Sequence, residues 1–240
     1  MRFIPATVLS LSILGFVYAQ DAAIRDLMNK LASKETAVRR QAATELADLG
    51  PDASLAAPAL RKALRDSDTY VRRFSAQALG KIGAQTKDVK DTVSTLALAM
   101  NDGQKEVQLA AVESLVAIGL PALDALLSAL KDPTKIPQVR KKAAQGLGKI
   151  GPQARGAVPV LSELVTGKTN TKTKKKDLSD DDIRIDAAAA LGKVAKKEDS
   201  VALEALKSVS EGKQKNKTLQ KAAQESLREI NGTLPKKKNK

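Results

Sequence analysis

Cysteine, histidine and tryptophan are all missing from the 240 residues, and aromatic side chains make up only 2% of them. Each absence excludes something. Without cysteine there can be no disulfide, thiolate nucleophile or thiolate-bound metal. Without histidine the commonest general base and metal ligand are gone. Any enzyme built on this chain would have to work with carboxylates, lysine, tyrosine, serine or threonine. The shortage of aromatics also argues against one large globular core, since such cores lean on the area that big rings bury.

What is present is Ala, Leu, Val and Ile, which make up most of the 42% hydrophobic content. Ala and Leu are the strongest helix formers and suit closely packed helices. The net charge is +14, unevenly spread. Residues 21–130 carry 14 basic and 14 acidic side chains. Residues 131–205 carry 16 and 10, and residues 206–240 carry 10 and 3; Arg2 completes the excess. Charge asymmetry of this kind marks either a polyanion partner or a solvated basic tail.

The first nineteen residues read as an export address. Arg2 supplies a short positive start, and Ile4 to Val17 is apolar apart from Pro5, Thr7, Ser10 and Ser12. Val17-Tyr18-Ala19 then offers a cleavage site before Gln20. The apolar run falls short of the ~20 residues of a spanning helix. Cleavage is therefore expected over retention as an anchor, with a secreted or periplasmic destination. The lack of disulfides fits a bacterial envelope or exported protein. No later segment reads as a membrane span.

From residue 20 to 232 one pattern recurs six times. Taking Val38, Val71, Val107, Val139, Ile183 and Leu219 as position zero, the spacings are 33, 36, 32, 44 and 36 residues. Position eight is always Leu: Leu46, Leu79, Leu115, Leu147, Leu191 and Leu227. Position eleven is Leu49, Ile82, Ile118, Ile150, Val194 and Ile230. Position four is small throughout, and position five is Ala except at Val112. At about 100° per residue these positions fall on one side of a helix. Gly50, Gly83, Gly119 and Gly151 at position twelve end the first four copies, and Pro51 and Pro152 forbid continuation. A second apolar helix precedes each copy, marked for example by Ile24, Leu27 and Leu31, or by Leu161, Leu164 and Val165. Each unit is thus an A helix, a turn and a B helix, and neither helix can bury its apolar side without its neighbours.

The series Asp66, Val71-Arg72-Arg73, Ala76, Leu79-Gly80-Lys81-Ile82-Gly83 resembles the HEAT repeat in its short bacterial form. Lys131-Asp132, Val139-Arg140, Ala143-Ala144 and Leu147-Gly148-Lys149-Ile150-Gly151 repeat it, and Pro58 and Pro159 match the proline common in that family's A helix. The resemblance covers roughly residues 21–230. It implies an all-α fold, an α-α superhelix of about six helix pairs with the B helices lining the concave face. The 44-residue step holds a Lys-rich loop, residues 167–182, inside the fifth repeat, and residues 233–240 form a basic tail.

No catalytic constellation emerges. Asp180-Asp181-Asp182 suits a helix N-terminus better than a hard-cation site. The Gly-Lys-Ile-Gly runs at Gly80 and Gly148 follow no strand, so they are helix ends and not phosphate loops. Among enzymes that resemble this repeat, deoxyhypusine hydroxylase needs His-Glu metal motifs, which are absent. HEAT-like DNA glycosylases use aromatics around the lesion, and past the leader only Tyr70 and Phe74 are available. A phycobilin-lyase-like enzyme subunit is a remote alternative, with no tetrapyrrole site to support it. No cofactor, metal or catalytic residue is expected.

Position one, Arg39, Arg72, Gln108, Arg140, Arg184 and Gln220, reads as a structural ladder that satisfies carbonyls and acids such as Asp66 and Asp68 in the turn between the helices. Positions two, six and ten point away from the core side and should line the concave face. They place Arg73, Gln77, Lys81, Lys141, Gln145, Lys149 and Lys193 in a broken basic stripe, interrupted by Glu113, Glu225 and Glu229. The functional expectation is an exported, monomeric, non-catalytic scaffold that binds a protein partner, acidic where it meets this stripe. The alternative is a polyanion-binding module, for a cell-surface polymer or nucleic acid, that uses the basic C-terminal half. The interrupted track and missing stacking rings speak against nucleic acid.

Overall fold

The computed structural model describes residues 6–83, 86–167, 179–212 and 216–233. Among the described residues twelve α-helices follow one another as six A–B pairs. The A helices are α1 (Ala6–Lys30), α3 (Ala57–Ala63), α5 (Val89–Ala99), α7 (Leu123–Lys131), α9 (Val158–Thr166) and α11 (Ser200–Glu211). The B helices are α2 (Thr36–Leu49), α4 (Thr69–Ile82), α6 (Lys105–Ile118), α8 (Pro137–Ile150), α10 (Ser179–Val194) and α12 (Lys217–Asn231). There is no strand among the described residues. The expected all-α superhelix of six pairs is what the chain forms.

The repeat pattern explains the core. Position five is fully buried in every copy: Ala43, Ala76, Val112, Ala144, Ala188 and Ala223. Leu46, Leu79, Leu115, Leu147 and Leu191 at position eight are buried too. They meet Leu60, Leu96, Leu126, Leu130 and Leu161 from the A helices in one continuous cluster. Exceptions sit where the pattern lacks a neighbour. Val38 is half-buried and Leu49 is 36% exposed, because no earlier B helix covers α2. In the last copy Leu227 and Ala222 are half-buried.

The position-twelve glycines all cap as expected, and the geometry is stricter than a simple left-handed turn. Gly83 has φ 70° and ψ −154°, and Gly151 has φ 71° and ψ −143°. Such a pairing is essentially open only to glycine. After Gly50 and Gly151 the chain runs through 3₁₀ turns at Gly50–Ala56 and Gly151–Ala157, where Pro51 and Pro152 sit at the start and need no donor.

The two layers pack differently. α2–α4, α4–α6, α8–α10 and α10–α12 lie directly on one another and α6–α8 are in looser contact, whereas in the A layer α3–α5 and α5–α7 barely touch and α9–α11 pack closely. A layer with shorter steps lies on the inside of a curved stack, so the B helices line the concave side. The close approach follows from two positions in the repeat. Position nine of one copy faces position seven of the next. A Cβ on Gly80 would lie 2.7 Å from Ser114 Cα, and one on Gly148 would lie 3.1 Å from Ala190 Cα. A Cβ on Gly192 would lie 2.9 Å from Ser226 Cβ, and one on Gly146 would lie 2.3 Å from Val116 Cγ2. Where position nine is Val, its partner is Gly. The buried hydroxyls of Ser114 and Ser226 exploit this closeness and donate across the joint to the carbonyls of Ala76 (2.7 Å) and Ala188 (2.8 Å). At the two ends of the stack the same positions hold exposed charges, Glu45 and Arg228.

The expected leader and the first A helix fall on one helix, Ala6–Lys30, in which Ile24 and Leu27 reach the core. No helix among the described residues is long and apolar enough to cross a membrane. The Lys-rich loop is described only at its edges. Gly167 ends α9, Ser179 already belongs to α10, and Lys168, Lys172, Lys174, Lys175 and Lys176 lie outside the described residues, as does the tail after Thr233.

Candidate partner-binding face

The position-one ladder is structural. Arg39 donates to both carboxylate oxygens of Asp66 at 2.7 and 3.0 Å and to the carbonyl of Ser33 at 3.0 Å. Arg72 repeats this with Asp102 at 2.7 and 2.9 Å and with the carbonyl of Asp66 at 2.8 Å. Each aspartate belongs to the following repeat, so the guanidinium closes its own turn and clips the next one. Arg140 Nε donates to the Leu130 carbonyl (3.1 Å), Arg184 to that of Val165 (3.0 Å) and Gln220 to that of Ser210 (2.8 Å). Gln108 also serves its own turn, through the Asp102 carbonyl (2.5 Å). It is too short to clip forward, and Asp132, the next aspartate in the series, is held instead by Thr134 and Lys135.

These arrangements move the carboxyl groups. Burial alone would raise Asp66 and Asp102, but the paired guanidiniums and the backbone N–H groups of Asp68 and Gln104 together outweigh it, and both lie below the usual carboxylate range. The Arg40 guanidinium holds Asp68 down to about 2, and hydrogen bonds from Thr134 hold Asp132 down to about 2. Arg155 lowers Asp199 in the same way.

The open face of the B layer is built from positions two, six and ten. Position ten is exposed in all six copies: Asp48, Lys81, Ala117, Lys149, Lys193 and Glu229. Much of the remaining charge is spent between neighbouring repeats. Arg40 grips Asp68 and lies 4.6 Å over the Tyr70 ring. Lys142 meets Glu113 at 2.5 Å. Lys141 stands 3.7 Å from Asp182 and 3.9 Å from Asp186, and Gln145 donates to Asp186 at 3.2 Å. Partial burial pushes the Asp186 carboxyl up in spite of these partners.

The seven expected residues therefore divide. Lys141 and Gln145 are engaged with Asp186, and Lys81 stands 3.7 Å from Asp48. Arg73, Lys149 and Lys193 have no carboxylate partner among the described residues; Arg73 lies 5.4 Å over the ring of Phe74. Gln77 is half-buried between Arg73 and Lys81 along α4. Pairing across repeats was not readable from one copy of the pattern, because it depends on which position of one helix faces which position of the next. Between the charged copies the face is apolar: Leu109 and Ala117 on α6, and Ile185 and Ala189 on α10. Asp181 pairs with Arg184 at 3.3 Å, and no acidic cluster able to hold a metal ion occurs among the described residues.

The sequence matches the family model for HEAT repeats over residues 24–96 and 92–176. No curated protein matches the chain. Among solved structures, an engineered protein is similar at 22% identity over 88% of this chain and 97% of its own, with a TM-score of 0.55. A designed armadillo repeat protein is similar at 19% identity over 85% of this chain and 98% of its own, TM-score 0.51. Another, solved in complex with a (KR)4 peptide, is similar at 20% identity over the same shares, TM-score 0.52.

Proposed function

Since the chain belongs to the HEAT-repeat family, we propose that it is a non-catalytic scaffold whose concave B-helix face binds an acidic segment of a partner protein. One observation carries this reading. On a face where Arg40, Lys81, Lys141 and Glu113 are paired across the repeat joints, Arg73, Lys149 and Lys193 have no carboxylate partner among the described residues. Cations without a carboxylate partner among the described residues, beside apolar patches, are suited to steer and hold a complementary acidic chain. The designed armadillo protein with a similar fold holds a basic peptide. Here the sign is reversed.

The reading includes export. Arg2, the apolar run to Val17 and the Val17-Tyr18-Ala19 site support a leader removed before Gln20. Such a cut would leave Ile24, Leu27 and Leu31 to complete the first repeat. N-terminal sequencing of the exported protein tests it, and a chain still starting at Met1 would sink it.

Binding is tested by affinity capture at two salt concentrations, with residues 20–240 as bait beside a variant carrying Lys81, Lys141, Lys149 and Lys193 as Glu. Captured protein is identified and cross-linked to locate the interface. A defined protein held by the unaltered bait alone, and cross-linked to α4 through α10, is the expected result. Mixed polyanions lost at high salt would favour the alternative drawn from the net charge of +14. Equal capture by both baits would refute the concave site.

A further inference from the structure

The six position-ten residues form a row along the C-terminal ends of the B helices: Asp48, Lys81, Ala117, Lys149, Lys193 and Glu229, all exposed. Lysines in a last turn have an ordinary explanation, because they oppose the negative end of the helix dipole. That explanation fails at both ends of the row. Asp48 and Glu229 stand in last turns too, where a carboxylate is disfavoured by the same dipole; Asp48 is 3.7 Å from Lys81 in an exposed pair that water and a bound carboxylate can both replace, and Glu229 has no cationic partner among the described residues. Helix stability would place lysine in the first and last copies as well. The row is basic only from the second to the fifth repeat, and it is closed by an acid on each side.

On the basis of the concave-face reading above, we propose that this row selects a short, extended acidic peptide segment of fixed register, flanked by basic residues, and rejects longer polyanions. The dimensions follow from the packing. Adjacent helices stand about 8–10 Å apart, and an extended chain covers about 3.3–3.6 Å per residue. One repeat thus corresponds to roughly two to three peptide residues. Lys81 and Lys149 are two repeats apart, so their carboxylate partners lie about five residues apart. Lys193 is one repeat further and takes a third acid about three residues on. Ala117 lies between the first two and leaves room for a small apolar residue, beside Leu109 on the same helix. Asp48 and Glu229 would repel an acid placed beyond either end and accept Lys or Arg there. A uniform polyanion long enough to cross the face must set negative charge against both.

The test is fluorescence anisotropy with labelled peptides of about fifteen residues. The matched peptide carries acids at i, i+5 and i+8, a small apolar residue at i+3, and basic residues at i−3 and i+11. Its reversed sequence is included, because the row can be read in either direction. Controls are a scramble of the same composition and a poly-glutamate of the same length. The exported chain is compared with Asp48→Lys/Glu229→Lys and with Lys149→Glu/Lys193→Glu, each shown by its thermal melt to be folded. One orientation of the matched peptide should bind about tenfold more tightly than the scramble and the poly-glutamate, because several surface pairs add and two repulsions are avoided. Asp48→Lys/Glu229→Lys should abolish that preference and admit poly-glutamate. Equal binding of matched and scrambled peptides, or a preference that survives the Asp48 and Glu229 changes, overturns the register. If Lys149→Glu/Lys193→Glu still abolishes all binding in that case, the concave-face reading stands without it. Binding untouched by the lysine changes overturns both. No binding of any peptide overturns the register, and the capture experiment then decides the concave face by itself.

Discussion

Gly80→Ala separates two opposed effects at a single atom. In an isolated helix the change is favourable, because alanine exceeds glycine by about 0.8–1 kcal/mol in propensity. Here the new methyl would stand 2.7 Å from the Cα of Ser114, a backbone atom that cannot turn aside. α4 and α6 must move apart by several tenths of an ångström, which strains the 2.7 Å bond from Ser114 to the Ala76 carbonyl. Overpacking of this kind costs about 1–3 kcal/mol, so the gain in propensity is at least cancelled and the expected net result is a loss of up to about 2 kcal/mol in chemical denaturation. Gly146→Ala provides the contrast. Its nearest obstacles are Val116 Cγ2 at 2.3 Å and Cγ1 at 3.2 Å, both side-chain atoms. Val116→Ala removes them, so the double variant should recover most of the loss. Ser114→Gly should rescue Gly80→Ala only in part, because the new methyl still collides with the backbone of residue 114. A Gly80→Ala protein stabilised by about 1 kcal/mol, as at an open helix position, would refute the pairing of position nine with position seven.

Leu147→Asp places a charge in a fully buried site in the fourth repeat and should cost several kcal/mol; an unaltered melting temperature would contradict the repeat register. Acid titration of stability has a definite sign. Asp68 and Asp132 are held at about 2 in the fold, below the ordinary carboxylate value near 3.9. Their contribution is complete above that ordinary value and is lost as pH falls from about 4 to about 2. Asp66, Asp102 and Asp199 act in the same direction. Asp186 acts oppositely: its raised carboxyl favours the fold only when protonated, so Asp186→Asn should raise the midpoint of urea unfolding at pH 7 and flatten its change toward pH 4. A lowered midpoint at pH 7 would show that its interactions with Lys141 and Gln145 outweigh burial.

The helix pairs, their caps and most of the core were legible in the sequence because one pattern repeats six times. Each copy checks the others: Leu46 to Leu191 fixes the buried side, and Gly50 to Gly151 fixes the ends. The Arg ladder was legible for the same reason. What a single-helix projection could not supply is the phase between neighbouring helices. That phase decides that Glu113 meets Lys142, that Asp186 occupies Lys141 and Gln145, and that Arg73, Lys149 and Lys193 remain available. It also decides that Gly80 and Gly148, which read alone as helix-end residues, are points where neighbouring B helices touch. The exposure of Leu49 has a related cause, since a repeat pattern describes interior copies and is blind to the edge of the stack.

Gln108 gives the molecule a mechanical character. Partly buried two-point clips join the first repeat to the second and the second to the third, but the third has no guanidinium with which to seize Asp132. α6 and α8 are also the most sparsely packed neighbours in the B layer. In a stack where each unit holds only its neighbours, bending accumulates at the loosest coupling. The joint between α6 and α8, near the middle of the stack, is then its most compliant coil by packing. Lys81 rides on one side of that coil, and Lys149 and Lys193 ride on the other. Flexing it would change the pitch between them, so the same joint that weakens the stack would also set the spacing on which the proposed register depends.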